Sequence, residues 1–266
     1  MDSQRTKLTE RDTGGLGEIV LDHPRGTFPP SPATRATARA VGLHRALLGG
    51  QGIDWGCGVG ALAIAAARIP TVAAVTGLDV VGANVAAARA NAARNGVAAR
   101  TRFFRADSFG ALAGEGRRHL RALRGRIDFV IANPPASTGD DGFSFRRRVL
   151  TETRDRMRPG GVVLMQALSA YGPERVENMV ARVGGFVYEG PIHHTEPAPL
   201  DLSDPRMMAF LDTYVTEEAR GGIPYAFFSG PAERERIDAT EAVLRFRHEG
   251  RVPWARWQVH LFRRVP

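Results

Sequence analysis

One stretch, Ile53-Asp54-Trp55-Gly56-Cys57-Gly58-Val59-Gly60, constrains this chain more than any other. It follows a loop rich in glycine (Gly49, Gly50, Gly52) and runs into an alanine-rich segment, Ala61 to Arg68. A short apolar strand, a tight glycine turn and a helix start explain that order. Gly56, Gly58 and Gly60 stand at alternate positions and remove each Cβ that would hold a ligand off the backbone. The turn is expected to be a ligand cradle at the carboxyl end of a strand, where open α/β sheets bind cofactors. Its spacing is G-x-G-x-G, not the G-x-G-x-x-G of a dinucleotide site. Gly60 is followed by Ala61-Leu62, not by the Lys-Ser/Thr of a phosphate loop. Lys7 is the only lysine in the chain, which further disfavours a phosphate ligand.

The run Asp54-x-Gly56-x-Gly58-x-Gly60 resembles motif I of the class I S-adenosylmethionine (SAM) methyltransferases. The resemblance implies SAM as cofactor, its methionine end on the three glycines and Asp54 suited to its cationic groups. Downstream, Val72 to Leu78 reads as a β-branched buried strand ending at Asp79. Asp79 stands 23 residues beyond Gly56. That is near the ~20 expected between a glycine turn and the acid that takes ribose hydroxyls. Two carboxylate oxygens can accept both hydroxyls of an unphosphorylated ribose, and Val80 is placed on the cofactor beside Asp79. A third strand, Thr101 to Ala106, ends at Asp107-Ser108, matching the pair that in this family reaches the adenine amine.

A fourth apolar strand, Ile127 to Ala132, ends in Asn133-Pro134-Pro135-Ala136. Asn-Pro-Pro here resembles the methyltransferases that act on nitrogen attached to an sp² carbon: the HemK-like glutamine methyltransferases and amino-directed methyltransferases of DNA and RNA. Asp141-Gly142-Phe143, Phe145-Arg146 and Arg158-Pro159-Gly160-Gly161-Val162 also look HemK-like, and the resemblance covers about residues 25–168. An amide or aryl amine nitrogen has its lone pair drawn into a π system and is a poor nucleophile. The Asn133 side-chain oxygen and the Pro134 carbonyl can accept its two N–H bonds, with Pro135 helping to fix the backbone that aims them. In-line methyl transfer then needs positioning, with reacting atoms ~3–3.5 Å apart, and no separate base. The family's fourth motif position is an aromatic that stacks on the substrate, and here it is Ala136. Stacking must therefore come from elsewhere, with Phe28, Phe143 and Phe145 available. The departure also favours a smaller or differently shaped acceptor, including a specialised metabolite methylated on oxygen.

At 266 residues and 43% hydrophobic, the chain can bury one large core. Its start is polar and its longest apolar stretch is broken by Arg68, Pro70 and Asp79, so neither a signal peptide nor a membrane span is expected. Cys57 is the only cysteine, which excludes internal disulfides and a zinc ribbon. These features predict a cytoplasmic protein. His193-His194 with Glu196 is a weak metal pattern, because neighbouring strand residues point apart, and no metal is expected. The net charge of +8 comes almost entirely from arginine, clustered at 117–118, 121–126, 146–148 and 263–264. A GC-rich genome explains arginine over lysine, but not the excess over 28 acidic residues. Attraction to RNA or another polyanion is the functional reading.

The expected architecture is α/β: one Rossmann-like domain over residues 25–266, preceded by a loose tail at 1–24. The resemblance implies a seven-stranded sheet with helices on both faces. A helix is expected from Thr34 to Leu48 with Val41, Leu43, Leu47 and Leu48 inward. Between the last two strands, residues 189–255 form an insertion expected to act as a substrate lid. It holds a helix opened by Asp204-Pro205 and an aromatic run near Phe227-Phe228. Its Phe210, Tyr214, Tyr225, Phe227 and Phe228 are expected to line the acceptor pocket. The function this sequence predicts is SAM-dependent methyl transfer to a nitrogen of a small-molecule or protein acceptor. The alternative acceptor is a base of ribosomal or transfer RNA. The rivals from other classes are a nicotinamide-dependent oxidoreductase and a SAM-binding RNA module without catalysis.

Overall fold

The computed structural model describes residues 3–27, 29–232 and 235–266. The chain opens with an antiparallel hairpin of β1 (Ser3–Leu8) and β2 (Ile19–Pro24). This corrects the expected loose tail. The hairpin is held by α3 (Gly82–Arg94): Asn91 Oδ1 accepts from the Asp22 backbone N–H at 2.9 Å, and Asn95 Oδ1 accepts from that of Val20 at 3.1 Å. Leu8, Ile19 and Leu21 are wholly buried, so the hairpin is tied into the core by apolar side chains as well as amides.

Helix α1 (Pro32–Leu43) follows, capped by Ser31, whose hydroxyl accepts from the Thr34 N–H. Pro32 sits in its first turn, where a missing N–H costs nothing. The helix stops five residues before the expected end at Leu48, and Leu43 is exposed rather than inward. Val41 and Leu48 are buried as expected.

The sheet strands then alternate with helices: β3 (Gly50–Trp55), α2 (Ala61–Ala67), β4 (Val72–Asp79), α3 and β5 (Thr101–Asp107). A two-residue β6 (Gly110–Ala111) folds back on β5 before α4 (Gly114–Ala122). Next come β7 (Ile127–Ala132), α5 (Ser144–Arg154), β8 (Met157–Leu168), α6 (Gly172–Val183) and β9 (Phe186–His194). An inserted unit carries β10 (Ala198–Pro199), α7 (Pro205–Ala219), β11 (Phe227–Phe228), β12 (Arg236–Ile237), α8 (Ala239–Glu249) and β13 (Trp254–Ala255). The last strand is β14 (Trp257–Arg264).

The sheet order is β6-β5-β4-β3-β7-β8-β14-β9, seven main strands with the short β6 added at one edge. β3, β4, β5, β7 and β8 run parallel, and β14 is antiparallel to both neighbours. One apolar cluster joins the hairpin, α1, α2 and α3 on one face, and a second joins α5, α6 and the insertion on the other. All seven residues of α2 are buried, which explains its alanines: a helix packed that close has no room for longer side chains. The expected sixth strand extends to His194, so the insertion begins at about 195 rather than 189.

Candidate active site

Register places the functional residues. In β3, Trp55 lies between Leu78 of β4 and Ala132 of β7, all three strands parallel. The chain therefore leaves the sheet side by side at Gly56, Asp79 and Asn133. Gly56, Gly58 and Gly60 all have positive φ (72°, 52° and 93°), a conformation costly for any residue with a Cβ. A Cβ at Gly56 or Gly58 would meet nothing within 4 Å, so these two face open space. One at Gly60 would press on Ala88 at 3.1 Å, so that glycine serves helix packing. The turn is pinned from below, with the Gly56 and Cys57 N–H groups donating to the Leu78 carbonyl at 2.9 Å.

Asp79 locks this turn. Its Oδ2 accepts from the Gly58 N–H at 2.8 Å, and its Oδ1 accepts from the Val81 N–H at 2.8 Å and Asn84 Nδ2 at 3.1 Å. Val80 and Val81 stand exposed beside it, an apolar shelf at the cradle rim. Asp54 lies behind the turn and does not reach the open face. It is fully buried, its Oδ2 accepts from the Ala63 N–H at 2.8 Å, and its Oδ1 has no hydrogen-bond partner among the described residues. Burial, with the negative Asp79 nearby, pushes its carboxyl up to about 7 despite the Ala63 bond. Burial likewise raises the Cys57 thiol, next to Asp54 and Asp79, so Cys57 is a packed residue and no thiolate nucleophile.

The Asp107-Ser108 pair sits in a side-chain network. Ser108, with φ of 53°, accepts from Trp55 Nε1 at 2.6 Å and donates to Glu152. Arg148 links Glu152 (2.6 Å) to Asp107 (2.7 Å). Burial opposes the charge on Glu152, but the Ser108 and Arg148 bonds prevail and hold its carboxyl below the usual range. Asp107 is exposed and open to a ligand, whereas the Ser108 hydroxyl is committed to Trp55 and Glu152.

At the end of β7, Asn133 Nδ2 donates to Thr34 Oγ1 at 3.2 Å, and Thr34 Oγ1 also contacts Ser31 Oγ at 3.2 Å. The amide is thereby oriented, with its carbonyl oxygen the atom left for a ligand. Pro134 is buried and Pro135 exposed. Their carbonyls accept from Arg146, whose guanidinium also bonds the Gly142 carbonyl and both the carbonyl and side-chain oxygens of Gln166. Arg146 is almost wholly buried, with no carboxylate partner among the described residues. The sequence marks Arg146 only as part of an arginine cluster and of the family-like Phe145-Arg146 segment; its place three residues after the buried Phe143, in the first turn of α5, was the available signal.

The expected aromatic pocket is corrected. Phe143, Tyr214, Tyr225, Phe227 and Phe228 are buried, so they present no open face to an acceptor. Tyr214 stacks on Tyr225 at 4.1 Å, and its hydroxyl bonds that of Tyr171 at 2.7 Å. Phe143 meets the Tyr171 ring edge-on. Phe145 and Phe210 are partly buried and packed against the same cluster. Ala136 is half-buried, and Phe28 lies outside the described residues. A space of about 240 Å³ bordered by Asp141, Arg147, Arg175, Arg182 and Glu217 includes no residue of the glycine turn. His194 bonds Arg256, and no metal-binding group of three His, Cys, Asp or Glu occurs among the described residues.

A glycine cradle, a strand-end acid and an oriented asparagine on adjacent parallel strands frame the comparison with known proteins. Residues 34–184, more than half the chain, match the model of the family described as Methyltransferase small domain. The chain belongs to that family. A release factor glutamine methyltransferase of Gloeobacter violaceus is 26% identical over 171 residues, 56% of this chain and 56% of that protein. Ribosomal RNA small subunit methyltransferase C of Pseudomonas entomophila is 28% identical over 145 residues, 54% of this chain and 40% of its own length. A ribosomal protein L11 methyltransferase of Dechloromonas aromatica is 39% identical over 130 residues, covering 48% of this chain and 35% of that protein. The chain thus spans about half or less of these relatives. The structure of the Thermus thermophilus 16S rRNA N2 G1207 methyltransferase, in complex with AdoMet and guanosine, superposes with a TM-score of 0.53 at 22% identity. The match covers 70% of this chain and 47% of that one, and it supports the α/β Rossmann-like methyltransferase fold. Among the described residues, no helix is long and apolar enough to cross a membrane.

Proposed function

We propose that this protein is a SAM-dependent methyltransferase acting on a nitrogen bonded to an sp² carbon. The cradle fits the cofactor: open backbone at Gly56 and Gly58, Asp79 at the rim, and the exposed Val80 beside it for the nucleoside. When bound, SAM supplies an electrophilic methyl group and leaves as a neutral thioether. Gly56 and Gly58 would let that methyl end approach the backbone, and Asp79 would receive a ribose hydroxyl on the Oδ2 lone pair not used by Gly58, its Oδ1 being taken by Val81 and Asn84. Asp107 is left to receive the adenine amine.

The observation that carries the nitrogen reading is the orientation of Asn133. With Nδ2 held by Thr34 Oγ1, its carbonyl oxygen faces the acceptor and takes one N–H of the attacking group. The Pro134 carbonyl, polarised by Arg146, has a second lone pair for the other N–H. Both bonds draw the substrate lone pair back onto nitrogen, and the proton lost after transfer passes to water. The insertion buttresses this side instead of opening over it. Tyr225 donates to the Asp141 carbonyl at 3.1 Å, and a Cβ on Gly142 would meet the Tyr171 and Tyr214 rings at 2.9–3.2 Å. A nucleobase amine is the favoured acceptor within this class, because Arg105 at the cradle rim and the arginines of α4 are exposed and have no ion pair among the described residues.

Calorimetry and single-turnover assays on Asn133→Ala test the assignment. SAM affinity should stay within about threefold of wild type while turnover falls ~100-fold or more, the loss expected of a misaligned acceptor. A parallel fall in SAM affinity would make Asn133 a cofactor residue and remove the support for a nitrogen acceptor.

A further inference from the structure

The four arginine clusters of the sequence separate in the structure. Arg146 is buried; Arg147 pairs with Asp141, Arg148 with Asp107 and Glu152, and Arg263 with Glu189. The group after β5 behaves differently. Arg102 and Arg105 on β5, and Arg117, Arg118 and Arg121 on α4, are all exposed, and no ion pair to them occurs among the described residues. Arg124 and Arg126 continue the same exposed run into β7. The segment 100–126 contains only two carboxylates, Asp107 and Glu115, and Asp107 is already paired. Elsewhere several arginines are matched, as at Arg5–Asp22, Arg35–Asp12, Arg158–Asp128 and Arg245–Glu235, and exposed ones without an ion pair among the described residues, such as Arg11, Arg182 and Arg220, stand singly in the sequence rather than in a run.

This edge is built, with α4 on the Phe104 side of β5 and Arg105 on the opposite side, next to Gly82 of α3 and the cradle rim. α4 is fixed to the sheet by His119 Nε2 against Thr76 Oγ1 (2.8 Å), with the ring on Phe104, and by Gly116 packed on Phe104 and Ala111. Arg105 Nε donates to the Val80 carbonyl at 3.0 Å, so the positive strip begins at the residue after Asp79. Arg117 and Arg121 lie one helical turn apart, and from Arg117 to Arg124 the strip covers roughly 10 Å of rise. Helix-dipole compensation accounts for an arginine in the last turn, such as Arg121, but not for Arg117 and Arg118 before it.

We propose that the α4–β5 edge is a docking face for the phosphate backbone of an RNA strand, running from α4 to the cradle rim. Rigidly mounted, unpaired arginines spaced along one edge match a repeating anion, and phosphate contacts of this kind set register without reading sequence. The direction toward the cradle rests on the reading of that turn as the SAM site; the docking itself does not.

The test uses the full chain without cofactor and a fluorescent RNA stem-loop with single-stranded flanks, titrated from low to moderate salt. Thermal melts and SAM calorimetry run in parallel. Wild type should bind with a log–log salt slope of about 0.7–0.9 per contacted phosphate. Arg117→Glu/Arg118→Glu/Arg121→Glu should weaken binding at least ~10-fold and cut the slope by two to three contacts, with melting and SAM affinity unchanged. The equal-charge control Arg11→Glu/Arg182→Glu/Arg220→Glu, on exposed arginines outside the face, should change affinity by much less. Equal losses in the two triple variants would mean diffuse net charge and would overturn the proposal. So would RNA binding indifferent to salt, or binding to phosphatidylserine vesicles but not to RNA. RNA binding without any SAM affinity would leave the face standing and sink the methyltransferase reading instead.

Discussion

At the residue scale, two carboxylates on neighbouring strands do different work. Asp79 makes three hydrogen bonds that hold Gly58, Val81 and Asn84 in place, so it shapes the cradle. Charge-assisted bonds of this kind are worth about 1.5–3 kcal/mol each. Asp79→Ala should therefore lower SAM affinity by ~100-fold or more, and Asp79→Asn by less, read by calorimetry; unchanged affinity would take Asp79 out of the site. Asp54 is buried with an orphaned oxygen and a carboxyl near 7. Because the folded value lies above the usual carboxylate range, the folded state binds the proton more tightly than the unfolded chain. Its stabilising contribution is full below about pH 4 and is lost as pH rises through about 7. The melting temperature of ligand-free protein should fall from pH 5 to 8, and Asp54→Asn should flatten that slope. A cationic ligand above the turn favours the carboxylate, so SAM should bind more tightly across the same rise. Calorimetry showing affinity independent of pH would contradict that coupling. Thr34 is a positioning residue: Thr34→Val should lower kcat with KM little changed, by freeing the Asn133 amide to rotate, and unaltered kcat would show that packing alone holds it.

At the scale of elements, what the sequence showed follows from how local each signal is. The glycine turn, the strand ending at Asp79 and the Asn-Pro-Pro run are short-range patterns, and the structure sets them on adjacent parallel strands. Of the β1–β2 hairpin only a weak alternation over 17–21 was legible, overlapping β2; its pairing was not, because its partners Asn91 and Asn95 lie some seventy residues away and polar residues give no periodic pattern. The aromatic insertion misled for a related reason: Tyr214, Tyr225 and Phe227 at helical and alternating spacing read the same whether they line a pocket or fill a core. Here they fill one, around the Tyr171–Tyr214 hydroxyl pair. Tyr214→Phe leaves the Tyr171 hydroxyl buried without that partner, which costs ~1–3 kcal/mol. At about 2–4 °C per kcal/mol, the melting temperature should fall by roughly 2–12 °C with SAM affinity unchanged. No fall in melting temperature would mean the pair is replaced by water and the insertion is not anchored there.

At the scale of the whole molecule, the sheet divides the labour. Its hairpin face packs α1, α2 and α3 beside the glycine turn; its other face, with α5, α6 and the insertion, supports the loop after β7 through Arg146. Net charge was legible from composition, but its function was not, since pairing decides which arginines are available and pairing is a property of the fold. Transfer of an isotopically labelled methyl group from SAM to extract RNA and protein, with mass spectrometry of the product, tests the central claim most directly. Wild type should place the label on a nitrogen, and Asn133→Ala, binding SAM as well as wild type, should place almost none. Label found on oxygen or carbon, or equal labelling by the two proteins, would contradict it.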